Sequence, residues 1–141
     1  MSIEFDVDDF FRSLDMTDDN VRKGAEKGMH DATDDLLRVA SDIAPFAVGT
    51  LAKSGHKAVD WRRNTIVGEV MFGVKEGGFN YALWTHEEVY NHGEGTQGNP
   101  PERGMSGRTY YSGRKYLERP LKGESDEYKR HIAQTIRKEL T

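Results

Sequence analysis

One stretch constrains the fold more than any other. Val21, Ala25, Met29, Ala32, Leu36, Val39 or Ala40, and Ile43 recur at steps of three and four, while Arg22, Lys23, Glu26, Lys27, Asp31, Asp34, Asp35, Arg38 and Asp42 occupy the other face. That period predicts an amphipathic helix of about 25 residues, ~37 Å long at ~1.5 Å per residue, with Asp18 or Thr17 as its N-cap. Pro45 lacks an amide hydrogen and disfavours the helical conformation at Ala44, so the helix should stop there, and Gly49 then permits a turn. Gly24 and Gly28, four residues apart, each weaken the helix by about 1 kcal/mol relative to alanine, and they leave a smooth strip that another backbone can approach or that water simply covers.

A helix that long must bury its stripe, and the rest of the chain offers a small sheet. Ile3, Phe5 and Val7 alternate with polar residues as a short strand would, and one helical turn capped by Asp8 or Asp9 would carry Phe10, Phe11 and Leu14. KAVDW (57–61) and TIVGEVMFGV (65–74) read as an antiparallel hairpin with Arg62, Arg63 and Asn64 at the turn. Ile66, Val70, Phe72 and Val74 alternate on one strand, with Val59 and Trp61 on the other. Residues 75–80 are a Gly-rich turn, and 81–88 (YALWTHEE) fit a short helix or an extended segment. Ser125 or Asp126 would cap a last helix in which Tyr128, Ile132, Thr135 or Ile136, and Leu140 fall at helical spacing.

The predicted fold is therefore α+β. A long N-terminal amphipathic helix and a C-terminal helix pack on a small antiparallel β-sheet in a single domain of 141 residues. Its parts are an N-terminal arm (1–16), the long helix (17–44), a β-hairpin (56–75), a long loop (91–124) and the C-terminal helix (125–140). That Gly/Pro/Tyr-rich loop has glycines at 93, 95, 98, 104, 107, 113 and 123 and prolines at 100, 101 and 120, with only Tyr116, Leu117 and Leu121 as anchors. So long a stretch with so little apolar periodicity is functional or disordered when alone. The expectation is that residues 91–121 are mobile in an isolated subunit and gain order from neighbouring copies.

Charge is uneven along the chain. Residues 1–44 hold 12 acidic against 5 basic residues, a net −7, whereas residues 101–141 hold 6 against 10, a net +4. Two solvated helix faces account for this, as do complementary surfaces between subunits. There are no cysteines, which removes disulfides, thiolate metal sites and thiol nucleophiles together. No basic-then-apolar leader opens the chain and no apolar run is long enough to span a bilayer, so a soluble protein made in the cytoplasm is expected.

Short catalytic look-alikes fail at their defining positions. HEEVY (86–90) has Tyr90 where a helical zinc-protease motif needs its second histidine, and His92 would face elsewhere. In GMSGR (104–108) Gly107 follows Ser106 one place too early for a nucleophile elbow, and the setting is a loop without strand or helix. GTLAKSG (49–55) lacks the ending of a phosphate-binding loop, and Asp34 with Asp35 sits on a polar helix face. The expectation is no enzyme, no cofactor and no metal. Arg103, Arg108, Arg114, Lys115, Arg119 and Lys122 interleaved with Tyr110, Tyr111 and Tyr116 suit loose contact with nucleic acid, although the chain as a whole is acidic.

Taken in order, the landmarks resemble a known family. A long helix ends in Ala44-Pro45, a Gly49-Thr50-Leu51 turn with Ser54 and a hairpin follow, then Tyr81-Ala82 with His86-Glu87, and then Lys115-Tyr116-Leu117-Glu118-Arg119-Pro120-Leu121 before a last helix. This is similar to the small neck, head-to-tail joining proteins of tailed bacteriophages, the tail-completion or minor capsid proteins, over residues 20–140. The family's Asp-Thr-Gly after the proline is replaced by the longer Phe46-Ala47-Val48-Gly49-Thr50, while the aromatic-leucine pair, Tyr116-Leu117, fits.

The resemblance implies a non-enzymatic structural virion protein, made in the host bacterial cytoplasm. It would form a homo-oligomeric ring of six or twelve copies at the head-to-tail junction, against other neck, connector and tail-tube proteins and around passing DNA, with no membrane partner. A tail terminator or a head-closure (stopper) protein of the same neck is the nearest alternative. A metal-dependent hydrolase using His86, Glu87 and His92, and a small DNA-associated protein, stand further off. Candidate inter-subunit or DNA-channel contacts are Arg103, Arg108, Tyr110, Tyr111, Arg114, Lys115, Tyr116 and Arg119.

Overall fold

The computed structural model describes residues 2–6, 19–44, 54–72, 75–76, 79–80 and 101–141. Strand β1 is Ser2–Asp6, helix α1 Asp19–Ile43, β2 His56–Arg62, β3 Thr65–Met71, β4 Lys75–Glu76, β5 Phe79–Asn80, β6 Glu102–Arg103, β7 Thr109–Tyr110 and helix α2 Glu118–Glu139. β1, β3 and β2 form an antiparallel sheet in that order, with Ile3 opposite Gly68 and Val59 on the far side of the same residue. β4 pairs with β5 and β6 with β7. The class is α+β, with both helices on one face of the sheet.

The predicted stripe of α1 is its buried face. Val21, Ala25, Met29, Ala32, Leu36, Val39, Ala40 and Ile43 are all fully buried, together with Gly24, Gly28 and Thr33. α1 lies against β3 and β2 on one side and along α2 on the other, while α2 also touches β1. Gly24 and Gly28 form the contact strip between the helices. A Cβ on Gly24 would sit 2.6 Å from the Ile136 Cα, and one on Gly28 would sit 2.7 Å from the Ile132 Cα. The Thr135 hydroxyl donates to the Gly24 carbonyl at 2.8 Å, so the backbones meet with their polar groups satisfied. On the sheet side, a Cβ on Gly68 would meet Met29 Sδ at 2.6 Å, which brings the central strand directly onto α1.

The β2–β3 hairpin forms where the alternation placed it, with Arg62 in the strand and the turn made by Arg63 and Asn64 alone. Trp61 closes the rim: its indole Nε1 donates to Glu26 at 2.8 Å and the Arg22 guanidinium lies 4.2 Å from its ring centroid. Lys57 on the same strand pairs with Asp34 at 2.5 Å.

The long-loop expectation needs correction over residues 101–124. α2 begins at Glu118, seven residues before Ser125, because Pro120 lies in the first turn, where an α-helix needs no amide hydrogen. The next amide bonds normally, from Leu121 to the Leu117 carbonyl at 3.1 Å. Before it, residues 101–117 fold back as the β6–β7 hairpin, and Tyr110, Tyr116 and Leu117 join the core. Three large side chains, Tyr110, Tyr116 and Leu117, and a polar network of the chain's own residues hold this segment. The calls at 7–18, 45–53, 73–74 and 81–100, including the early helical turn, the N-cap, the Pro45–Gly49 turn and the His86-Glu87 segment, lie outside the described residues.

Candidate functional site

The candidate contact residues lie on the β6–β7 hairpin, the connection 111–117 and the first turn of α2, and a buried carboxylate anchors the hairpin. Glu124 has no exposed surface. It accepts from the Ser106 amide at 2.7 Å, from the Ser106 hydroxyl, and from the Tyr110 hydroxyl at 2.8 Å. The Gly104–Arg108 turn closes around it, with Gly104 and Arg108 joined by a 2.9 Å backbone bond. Gly104 is required by this approach, since a Cβ there would fall on the carboxylate. Burial first, then the bond to Glu124, push the Tyr110 hydroxyl well above its usual range, so it remains a donor.

A second carboxylate, Asp35, ties the hairpin to both helices. It accepts from the Met105 amide at 3.0 Å and the Tyr128 hydroxyl at 2.8 Å, and pairs with Arg38 at 2.8 Å. Burial, followed by the negative charge of Asp35, raises the Tyr128 hydroxyl in the same way. Arg38 continues the clamp by donating to the Arg103 carbonyl at 2.8 Å and approaching Glu102 at 3.6 Å. Glu102 and Asp42 share a hydrogen bond, and burial, then that bond, raise the Asp42 carboxyl to about 6. The far end of the segment is held by Arg119, whose guanidinium donates to the carbonyls of Tyr111 at 2.7 Å and Arg114 at 3.0 Å. The Gly113 amide meets the last carbonyl of α1, Ile43, at 3.3 Å.

The eight candidates therefore separate. Tyr110 and Tyr116 are core residues, Tyr116 packing edge-on against Phe72 with ring centroids 5.4 Å apart, and neither presents a contact surface. Arg119 is turned inward onto backbone carbonyls, and Lys115 pairs with Glu118 at 3.0 Å. Arg103, Arg108, Tyr111 and Arg114 face solvent, Tyr111 with 65% of its surface exposed.

Sequence reasoning missed Glu124 and Asp35. Asp34 and Asp35 look alike in the sequence, yet Asp34 is exposed and Asp35 faces the seam, at 12% side-chain exposure. The signal was spacing: Gly28, Ala32, Asp35 and Val39 make one stripe, and Leu117, Leu121, Glu124, Tyr128 and Ile132 make the other once α2 is extended to its true start.

Chemically, Glu124 and the mostly covered Asp35 each accept three hydrogen bonds from donors of their own chain. The arrangement fixes the hairpin. Among the described residues, no three His, Asp or Glu side chains gather as a metal-binding group, and no helix is long and apolar enough to cross a membrane. His86, Glu87 and His92 lie outside the described residues. Comparison with protein-family models, with curated proteins and with solved structures returned no match to this chain.

Proposed function

We propose that the chain is a structural, non-enzymatic subunit of a tailed-phage neck, forming a ring that completes the tail and joins it to the head around the DNA channel. The observation that carries this reading is the use made of two covered carboxylates. Glu124 and Asp35 are engaged in fixing the β6–β7 hairpin, and Arg103, Arg108, Tyr111 and Arg114 stand exposed on it and just beyond it. Such a construction serves surface presentation. The order of landmarks from the long helix through Ala44-Pro45 to Lys115–Leu121 supports the neck assignment by its resemblance. Ring assembly would then dock preformed surfaces over this segment, without a folding step there.

The test is native mass spectrometry of the purified protein combined with antibody labelling of assembled virions. A closed species of six or twelve copies and label at the head-to-tail junction are expected. The layer labelled separates tail completion from tail termination or head closure. A strict monomer at high concentration, with label absent from the junction, overturns the reading.

A further inference from the structure

Among the described residues the three-stranded sheet ends on β1 at one side and on β2 at the other, and the two edges are finished differently. The Arg63–Asn64 turn closes on Arg62 opposite Thr65, and in a two-residue hairpin that closing pair exchanges backbone hydrogen bonds. Alternation then turns the amides and carbonyls of Lys57, Val59 and Trp61 away from β3, and the Trp61 amide does bond elsewhere, to Asp60 at 2.8 Å. On the other side of β3, Ile66 and Gly68 are left to bond Phe5 and Ile3. The amides and carbonyls of Ser2, Glu4 and Asp6 therefore point outward from β1.

β2 is guarded against strand addition by the Asp60 carboxylate on an outward amide and by the charges of Lys57 and Arg62. β1 borders a groove instead. Across about 630 Å³ of open space, Ile3 and Glu4 face Leu121, Lys122, Ser125 and Lys129 of α2. Leu121, Ser125 and Lys129 recur every four residues and so form one side of that helix. Leu121 packs on the core, while Lys122 and Lys129 are exposed at the rim. Ile3 points to the helix-bearing face of the sheet and is buried, and Glu4 points to the opposite face and is exposed.

We propose that this groove takes up an acidic, extended segment of another protein, added antiparallel to β1 as a fourth strand. The backbone groups of Glu4 continue the ladder, and the two-residue period of the incoming strand sorts its side chains. Alternate residues turn toward α2, where the Lys122 and Lys129 ammonium groups favour carboxylates. The residues between them lie beside Glu4, where small neutral side chains fit and carboxylates are repelled. Lys122 already meets Glu118 at 3.0 Å, an exposed pair that a ligand carboxylate can join or exchange. A second copy of this chain fits less well, because its edge strand β2 would bring Lys57 and Arg62 to a wall that is itself cationic, with one outward amide engaged. The proposal goes beyond the neck reading and does not depend on it.

The experiment is a backbone NMR titration of the full chain with a capped peptide of alternating threonine and glutamate, threonine at both ends. The Glu4 amide should shift and exchange more slowly with solvent, and the Lys122, Ser125 and Lys129 amides should shift with it. In an antiparallel fourth strand the threonines lie opposite Glu4 and bond β1, whereas the glutamate amides point away. A peptide N-methylated at the threonines should therefore bind about tenfold more weakly than one N-methylated at the glutamates. Lys129→Glu, at an exposed position, should weaken binding about fivefold and leave the thermal melt unchanged. No shift at Glu4, equal affinity of the two methylated peptides, or equal binding of a threonine–lysine peptide would overturn the proposal. So would shifts at Glu4 that depend on protein concentration without peptide, since these would make a second copy the occupant. Ring formation by a protein that does not bind the peptide would sink this inference and leave the neck reading standing; peptide binding by a strict monomer gives the reverse.

Discussion

The Tyr128 hydroxyl donates a 2.8 Å hydrogen bond to Asp35, to the same carboxylate oxygen that receives the Met105 amide at 3.0 Å. Through that one oxygen α2, α1 and the β6–β7 hairpin are joined, although their residues lie far apart in sequence. The partner carboxylate, Glu124, repeats the device one turn earlier on α2. These two groups explain why a glycine-rich segment is ordered, and they set the first expectations.

Glu124→Ala should destabilise the protein by about 3 kcal/mol or more, because it orphans the Ser106 amide and hydroxyl and the Tyr110 hydroxyl together. Glu124→Gln, which keeps the shape and one acceptor, should cost about 1–3 kcal/mol. Urea unfolding monitored by circular dichroism measures both, and equal stability of Glu124→Ala and the wild type would contradict the network.

Gly24→Ala reverses the usual helix scale. In an isolated helix the change stabilises by about 1 kcal/mol. Here the new Cβ would press on the Ile136 Cα at 2.6 Å and the Thr135 carbonyl oxygen at 2.9 Å, both backbone atoms, so the helices must separate. A net loss of about 2 kcal/mol is expected in a thermal melt, of the order seen when a packed core is overfilled.

Two tyrosines five residues apart should behave oppositely. Tyr116→Ala empties a fully buried site against Phe72 and should cost about 3–5 kcal/mol. Tyr111→Ala removes an exposed ring and should change stability by less than about 0.5 kcal/mol. Comparable effects from both would mean that the segment is not packed as described.

The Asp42–Glu102 pair gives a pH signature. Asp42 is raised from 3.8 to about 6, by burial first, so its contribution is complete below its unfolded value and is lost as pH rises through about 6. Glu102 is lowered from 4.5, first by its hydrogen bond with Asp42, so its contribution is present above that value and lost as pH falls. The clamp is therefore tightest near pH 4–5 and loosens by about pH 7, when both carboxylates are charged. Asp42 is exposed, and solvent screening holds the effect below about 1 kcal/mol. Asp42→Asn should flatten the difference in stability between about pH 5 and 7. A wild-type difference retained in that variant would place its origin elsewhere.

Arg63 adopts φ 57° at the β2–β3 turn, a conformation that costs a residue with a Cβ about 1 kcal/mol and costs glycine almost nothing. Arg63→Gly should raise stability by up to about 1 kcal/mol by relieving this strain, with strand register unchanged in backbone NMR. A loss of stability would indicate that the guanidinium holds the turn.

Helix α1, the β2–β3 hairpin and the α+β class were legible because each rests on a local period, and a period is a property of neighbours in sequence. The start of α2 was harder to place. Pro120 resembles a breaker until its position in the first turn is known, and glycines 104, 107 and 113 resemble a loose loop until a carboxylate is found inside the turn.

The sequence by itself determined which face of α1 is apolar, that the helix carries two glycines one turn apart, and where the strands alternate. Only the tertiary structure decided that α2 fills the strip left by Gly24 and Gly28, and that Glu124 is sealed inside and Asp35 mostly covered while adjacent Asp34 meets water. It also decided that Tyr110 and Tyr116 belong to the core and Tyr111 to the surface. The reason is physical: burial of a charged or aromatic side chain depends on which donors and apolar atoms arrive from residues tens of positions away, and no local pattern records them.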